Sequence, residues 1–216
     1  MCELNDDTFI FAEDIKNAIS FLSQFKEKRF DYKYNEHNLM SLVGYTVNVL
    51  NSWTGYTYVG EQKEKYIEKI YQDFFSLLFE VILLMLDNFE DLEKKEKEFL
   101  DCIIYRGKIY RYLNIKDKRE IKYNSIYVSW SKKESYAYLE SKLGNHFLKL
   151  YANIDEDSFG LDLSKFMHFF CDYSGCDRSP VYDNELEVVF PTIKECIYDV
   201  KKFKYSKKKG GYVEYE

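Results

Sequence analysis

The spacing of hydrophobic residues changes near Leu100, and this change limits the folds open to the chain. Before Leu100, apolar residues recur every three to four positions, which indicates amphipathic helices. After it, short runs rich in β-branched and aromatic residues are bounded by turn residues, which indicates strands. Helices followed by strands predict an α+β fold. We expect a helical subregion over residues 1–98 and a β core over residues 99–216, together forming one domain.

Three helices are predicted in the first half of the chain. The first spans residues 12–25, where isoleucine, leucine and phenylalanine share one helical face. The second spans 37–53 and ends near Gly55, and the third spans 61–88. The charged run at 90–98 is interpreted as a short solvated helix or a linker.

In the second half, the sequence predicts six strands separated by turns and short helical segments. The strands are expected at residues 102–105, 125–129, 147–154, 185–190, 196–205 and 212–215. Between them we expect a helix at 134–143, a short apolar segment or helical turn at 161–166, and a loop at 169–183.

Composition and charge exclude several classes of protein. Hydrophobic residues make up 46% and charged residues 31% of the 216, which is typical of a globular protein with a sizeable core. The net charge of -6 argues against broad binding to a phosphate backbone, although local basic patches are compatible with it. The start of the chain lacks a basic, apolar leader, and the most apolar segment, 74–86, is short for a bilayer. We therefore expect a cytoplasmic protein without a membrane partner.

The cysteines indicate neither a disulfide scaffold nor a zinc site. There are five, an odd number, and their spacing matches no disulfide framework. Cys171 and Cys176 flank the predicted loop, but no further residues complete a convincing zinc set. Reduced thiols and no bound metal are the expectation.

Two carboxylates stand out because of their place on a predicted strand. Alternation puts Glu185 and Glu187 on one face of the 185–190 strand and apolar residues on the other. Like charges this close raise each other's pKa, so such a pair is either solvated or used in chemistry. Taken alone, the pair is interpreted as a solvated strand face, since the same spacing recurs at 96–98 and 214–216.

Two earlier motifs change that interpretation. A predicted strand ends in Tyr-Arg-Gly at 105–107, a second ends in Ser-Trp-Ser at 129–131, and Glu-Leu-Glu follows at 185–187. Arginine, serine and glutamate motifs in this order resemble the Arg-Ser-Glu class of mono-ADP-ribosyltransferases. The resemblance covers about residues 100–205. Over the first half of the chain, only the predicted helical character agrees with the family.

Two further agreements and one departure accompany the resemblance. Residues 160–164 lie where the family has its nicotinamide-side loop, and Tyr182 lies where many members have an aromatic acceptor-recognition residue. The departure is Trp130, which replaces the middle threonine of the family's Ser-Thr-Ser. Because Ser129 and Ser131 still share a strand face, we expect Trp130 to change packing and not chemistry.

The resemblance implies that the chain binds NAD in a split, mostly antiparallel β-sandwich core on which the helical subregion packs. The planar guanidinium of Arg106 is suited to a phosphate or ribose oxygen of NAD. The Gly107 backbone can approach the nicotinamide carboxamide closely, and Ser131 lies among the NAD-binding residues. Glu187 is expected to stabilise the ribosyl oxocarbenium ion through the 2′-hydroxyl, with Ser129 holding its side chain in place.

The resemblance also assigns the acceptor side of the reaction. Arg106, Ser129 and both glutamates are the expected catalytic residues, with Glu185 orienting the acceptor and removing its proton. Tyr182 would contact the acceptor. The Glu-x-Glu form resembles members that modify arginine, so a protein arginine is the expected acceptor, and no metal is implied.

Other interpretations of these residues remain open. Arg106 also fits a surface arginine, Ser129 and Ser131 fit strand-edge hydroxyls, and Tyr182 fits a core tyrosine. As a whole, the chain is also compatible with an NAD glycohydrolase, in which water accepts the ribosyl cation, or with a degenerate NAD-binding or protein-interaction module. An ADP-ribosyltransferase of this kind could act where it is made, in the cytoplasm, or be exported as an effector or delivered to a host cell.

Overall fold

The structure is a computed structural model that describes residues 6–28, 36–54, 61–135, 143–175 and 186–215. The chain divides into two compact units. The first comprises Met1–Cys102 and Met167–Asp177, and the second comprises Ile103–Phe166 and Arg178–Glu216.

The first unit is helical over its described residues. Its helices are α1 (Asp6–Lys28), α2 (Glu36–Thr54), α3 (Glu61–Asp87) and α4 (Lys94–Ile103), with a 3-10 turn at Phe89–Asp91 and the later part of α5 (Leu163–Ser174). Helices α2 and α3 match their predicted ranges to within one residue at each end, whereas α1 begins six residues earlier than predicted.

The apolar stripes that predicted these helices are the surfaces they bury. On α1, Ile15, Ala18 and Leu22 are at most 1% exposed, and α1 packs against both α2 and α3. Each buried aliphatic side chain of this size contributes about 1.5–3 kcal/mol. The later part of α3 is fully buried at Phe74, Phe75, Leu78, Val81, Ile82 and Met85. Among the described helices, none is long and apolar enough to cross a bilayer.

Helix α4 bears on two predictions. Residues 94–98 of the charged run are helical, as one of the two interpretations of that run expected, whereas the strand predicted at 102–105 was wrong for Cys102 and Ile103, which are helical. The side chain of Glu96 accepts the backbone N–H of Glu93 at 2.9 Å and satisfies a free donor at the start of the helix. Buried Phe99, Leu100 and Ile103 then provide the apolar face that makes helix the better choice for this segment.

Helix α5 corrects the predicted loop at 169–183. Residues 169–174 are helical, and residues 176–183 lie outside the described part of the chain. The buried carboxylate of Asp162 accepts the backbone N–H of Lys165 at 3.1 Å, as an N-terminal cap does. Buried residues such as Phe166 and Met167 supply the apolar face. The helix predicted at 134–143 falls mostly on residues 136–142, outside the described ranges.

The second unit contains an eight-stranded antiparallel sheet. Its strands are β1 (Ile104–Tyr105), β2 (Gly107–Leu113), β3 (Asn124–Ser131), β4 (His146–Ile154), β5 (Gly160–Asp162), β6 (Glu187–Thr192), β7 (Ile197–Ser206) and β8 (Gly211–Tyr215). Their spatial order is β1-β5-β6-β3-β2-β4-β7-β8, with every neighbouring pair antiparallel. The α+β prediction is confirmed. Strands β2 and β5 were not predicted, since residues 161–166 were expected to form a short apolar segment or helical turn.

This sheet is nearly split at one place. Strands β1 and β2 are consecutive in the chain and separated by Arg106 alone, yet they occupy different positions in the sheet, because β1 pairs with β5 and β2 pairs with β3 and β4. Strands β2 and β4 pair along the whole length of β2, whereas β2 and β3 share the single pair Tyr110–Ser131. The sheet is therefore weakest between β2 and β3.

The interior face of the sheet is apolar. Trp130 on β3 is 2% exposed, and its indole N–H donates to the Phe190 carbonyl of β6 at 2.9 Å. Because Trp130 points to the opposite face from Ser129 and Ser131, it serves the core, as the sequence predicted. Around it lie Ile109, Ile121, Leu148, Leu150, Ala152, Ile154, Val188 and Phe190.

Candidate active site

The last residue of β3 and the first residue of β6 form the centre of the candidate site. Ser131 lies directly opposite Glu187 in the β3–β6 ladder, so the two side chains project from the same face, with Cβ atoms about 5 Å apart. Ser131 is buried and Glu187 is half-buried. Ser129 is exposed and lies one pair further along, opposite Val189. Of the two predicted serines, Ser131 is therefore the nearer to Glu187.

Two tyrosines continue this row across the sheet. Tyr110 of β2 pairs with Ser131 on one side and with Tyr151 of β4 on the other. The rings of Tyr110 and Tyr151 meet edge to face, with centroids 5.6 Å apart, and both residues are buried. A carboxylate beside such a row lies next to low-dielectric material, where its charge acts more strongly than in water. Neither tyrosine could be singled out from the sequence, because 21 tyrosines are spread along the chain.

A buried lysine lies over the same tyrosines. Lys149 is 5% exposed, and its ammonium lies 5.5 Å from the ring centroid of Tyr110, 5.3 Å from that of Tyr112 and 5.1 Å from that of Tyr151. It donates to the backbone carbonyl of Glu134, which also accepts the Tyr112 hydroxyl at 2.7 Å. These contacts hold residue 134 over the tyrosine-bearing face of the sheet.

Burial and nearby negative charge keep these tyrosines protonated. Burial, followed by the charge of Glu134, raises the pKa of Tyr151 to about 12. Burial is also the main cause of the raised pKa of Tyr110, with Glu134 again contributing. Both phenols are therefore neutral hydrogen-bonding groups at physiological pH and do not act as bases.

A buried ion pair anchors the residue that precedes Glu187. The Lys132 ammonium lies 2.7 and 2.9 Å from the two carboxylate oxygens of fully buried Asp162 and donates to the Ser164 hydroxyl at 2.7 Å. The backbone N–H of Lys132 donates to the Leu186 carbonyl at 2.9 Å. Lys132 therefore joins β3, β5 and the start of β6 at the position of Glu187.

The backbone at Leu186 limits the predicted strand. Leu186 has a φ of 44°, in the left-handed region that non-glycine residues seldom adopt, and the extended strand begins at Glu187. Strand alternation therefore does not extend back through Leu186. Glu185 and Tyr182 lie outside the described residues, so their placement beside the acceptor stays a prediction.

Arg106 and Gly107 lie at the junction of β1 and β2. Arg106 is exposed, and its Nε donates to the Ser158 carbonyl at 3.1 Å. Gly107 has a φ of 123°, which only glycine adopts without strain. Tyr110, the ladder partner of Ser131, lies four positions after Arg106, and four positions span about 13 Å of strand. The structure thus brings Ser131 and Glu187 together and leaves Arg106 further along the strand.

Arg111 is a candidate that the sequence interpretation missed. Its Nη1 donates to the Ser129 carbonyl at 2.9 Å, at the place where β2 and β3 separate. Burial lowers its pKa to about 10, which leaves it a cation at neutral pH. Within the described part of the chain it forms no ion pair with a carboxylate. The sequence feature that could have identified Arg111 is a repeated Tyr-Arg dipeptide, because Tyr110-Arg111 follows Tyr105-Arg106 by five residues.

The described residues do not assemble a metal site. No group of three or more histidine, cysteine, aspartate or glutamate side chains within the described ranges is arranged to hold an ion. Burial raises the pKa of the Cys196 thiol. Cys176, one of the two cysteines flanking the predicted loop, lies outside the described residues.

Taken together, the site offers a carboxylate beside a buried hydroxyl, a protonated tyrosine row, and Arg111 at the split between β2 and β3, with Arg106 further away at the junction of β1 and β2. A carboxylate in such surroundings can stabilise a developing cation, and guanidinium groups bind phosphates. Comparison of the chain with protein-family models, with curated proteins and with solved structures found no match.

Proposed function

We propose that this chain is an NAD-dependent mono-ADP-ribosyltransferase. It would cleave the bond between nicotinamide and ribose, release nicotinamide and transfer ADP-ribose to a macromolecular acceptor, a protein arginine. The observation that carries the proposal is the cross-strand pair of Ser131 and Glu187 at the end of β3, next to the split between β2 and β3.

The chemistry of the bond explains why this pair supports the proposal. Loss of nicotinamide leaves an oxocarbenium ion on the ribose, and a carboxylate held near the 2′-hydroxyl stabilises that cation. The Ser131 hydroxyl accepts the backbone N–H of Lys133 at 3.0 Å, which leaves its own hydrogen available to orient the Glu187 carboxylate opposite. Ser131 thus takes the positioning role that the sequence had assigned to Ser129.

The two arginines suit different parts of NAD. Arg111 borders the split close to the Ser129 carbonyl, and Arg106 lies about 13 Å of strand away from the row of Ser131. An extended dinucleotide with its ribose at Glu187 could place its pyrophosphate near one guanidinium and a more distant group near the other. Gly107 would allow the ligand to approach the backbone.

The antiparallel sheet is compatible with the fold that the resemblance implies. A split, antiparallel β core with NAD held at the split requires two strands that separate within the sheet, and β2 and β3 have this relationship. The acceptor assignment depends on Glu185 and Tyr182 and remains the prediction from the resemblance.

The test is to incubate purified protein with NAD labelled in its adenosine half, in cell lysate and in buffer alone. Mass spectrometry then follows labelled macromolecules, and chromatography follows free nicotinamide. We expect labelling in lysate that is lost in Glu187→Gln and kept in Glu195→Gln, a matched change at an exposed glutamate. Nicotinamide release without labelling would indicate the glycohydrolase, and NAD binding without turnover would indicate the binding module.

A further inference from the structure

The hairpin formed by β7 and β8 carries a charge opposite to that of the whole chain. Residues 197–215 contain six lysines and two carboxylates, a net charge of +4 in a chain of net charge -6. The rest of the chain is therefore strongly acidic, at -10. A cation cluster set against an acidic molecule is an electrostatic footprint for an anionic partner.

Among the described residues, one of these lysines forms an ion pair within the chain. Lys201 pairs with Glu214 at 3.3 Å. Among the described residues, no carboxylate forms an ion pair with the remaining lysines of the hairpin. These are Lys202, Lys204, Lys207, Lys208 and Lys209, the last three being exposed in the turn between β7 and β8.

Protection of a sheet edge does not account for them. Edge strands often carry lysine because a charged side chain there blocks pairing with another sheet. Here the edge strand is β8, Gly211–Tyr215, whose sequence Gly-Tyr-Val-Glu-Tyr contains no lysine. The lysines lie instead on β7, which pairs on both sides, and in the turn.

Aromatic rings accompany the lysines. Tyr205 is 46% exposed and lies two residues before the first turn lysine, with one ring edge against Tyr212 at a centroid distance of 5.5 Å. On the other face of the hairpin, Lys202 and Lys204 lie over the ring of Tyr215 at 6.0 and 5.3 Å. Lysines beside an exposed ring form the combination that binds phosphates and stacks unpaired bases.

We propose that the β7–β8 hairpin binds single-stranded nucleic acid, with the turn lysines on the phosphates and Tyr205 under a base. Complementary charge favours a polyanion, and the exposed ring favours bases that are not paired. The hairpin binds its partner without NAD, so this proposal stands apart from the transferase activity.

The test is fluorescence anisotropy with labelled 20-nucleotide oligo(dT) and oligo(U), a matched duplex, polyglutamate and phosphatidylserine vesicles, all without NAD. We expect binding to single strands that weakens as salt rises. The triple change Lys207→Gln, Lys208→Gln and Lys209→Gln should reduce the slope of log K against log salt by about 2, at about 0.7 per lost phosphate contact. The matched control changes Lys94, Lys95 and Lys97 of α4 to glutamine and should leave the slope unchanged.

Stacking is tested separately. Tyr205→Ala should weaken single-strand binding about 5- to 100-fold and leave the salt slope unchanged, whereas Tyr123→Ala, at another exposed tyrosine, should have no effect. Preference for oligo(U) over oligo(dT) would identify RNA as the source of the strand. The proposal would be overturned if the protein did not bind single strands at about 50 mM salt or bound the duplex equally well. It would also be overturned by a preference for polyglutamate or vesicles, or by a triple variant whose salt slope is the same as that of the original protein.

Discussion

Lys132 donates its backbone N–H to the carbonyl of Leu186 at 2.9 Å, and its side chain forms an ion pair with Asp162. One residue therefore joins the end of β3 to the residue before Glu187 and to the end of β5. Asp162 also caps α5 through the backbone N–H of Lys165. The position of the candidate carboxylate thus depends on a charge pair whose partners are 14% and 0% exposed.

Breaking that ion pair should destabilise the fold. Asp162→Asn leaves the Lys132 ammonium buried without its counter-charge, and Lys132→Met leaves the carboxylate, so each should lower the free energy of unfolding by about 3–5 kcal/mol. The double variant should recover part of the loss, because neither charge then remains unpaired. Urea unfolding measures all three. Two single losses below about 1 kcal/mol would show that the pair contributes little.

The two serines should differ in their effect on turnover. Ser131 lies opposite Glu187 and Ser129 lies one pair away, so Ser131→Ala should reduce nicotinamide release by about 10- to 100-fold and Ser129→Ala by less. The control is Ser125→Ala, at an exposed serine on the same strand. Because a positioning role acts on the chemical step, kcat should fall while KM for NAD stays near its original value. The reverse order of the two serines would support the original sequence assignment.

The positions of helices α2 and α3 could be predicted from the sequence, whereas the boundary between α4 and β1 could not. Helices α2 and α3 have apolar stripes and clear ends, so local pattern and packing agree. Cys102 and Ile103 belong to an apolar run of four residues that is compatible with either a helix or a strand. They are helical because helix α4, which begins with a capped, lysine-rich turn, continues through them.

The site could be predicted only in part, because it depends on strand register. The motifs at 129–131 and 187 indicated the right strand ends, but the pairing of Ser131 with Glu187 follows from the register of β3 and β6. The pairing of Tyr110 with Ser131 depends on β2, which was not predicted because its tyrosines, arginine and lysine lack an apolar run. The left-handed backbone at Leu186 has no local signal, since leucine is not a residue that favours it.

Tyr151 should make stability fall with rising pH above pH 10. Its pKa is raised from the ordinary 10.0 to about 12 in the folded chain, so between these values the unfolded chain has lost the proton while the folded chain keeps it. The stabilisation from this shift is complete below pH 10 and lost by about pH 12, and two pKa units correspond to about 3 kcal/mol. Tyr151→Phe should therefore flatten the decline in unfolding free energy between pH 10 and 12, measured by urea titration. Tyr123→Phe is the control, and identical declines in both variants would contradict the raised pKa.

The two arginines can be separated by their effects on NAD affinity. Arg106→Lys and Arg111→Lys each keep the charge but lose the planar guanidinium, so each should weaken NAD binding by about 1–3 kcal/mol with the fold intact. Calorimetry measures the affinity, and Arg119→Lys, whose guanidinium already pairs with Asp117, is the control. A loss only at Arg111 would mean that the second Tyr-Arg pair, and not the first, binds the dinucleotide. Unchanged binding in both variants would contradict a role for either.

The two glutamates of the motif can be separated by the products that each variant still makes, which tests the proposed transferase reaction. Glu187 lies beside Ser131 and would act on NAD itself, so Glu187→Gln should lower both transfer and NAD hydrolysis by at least about 100-fold. Glu185 would act on the acceptor, so Glu185→Gln should abolish transfer to an arginine acceptor and leave much of the slow hydrolysis, because water needs little positioning once the cation forms. Both products are measured from each variant in one assay with labelled NAD. If transfer and hydrolysis fall together in Glu185→Gln, that residue supports the NAD site and the arginine assignment loses its main support; if transfer persists, the acceptor is a group that needs no base.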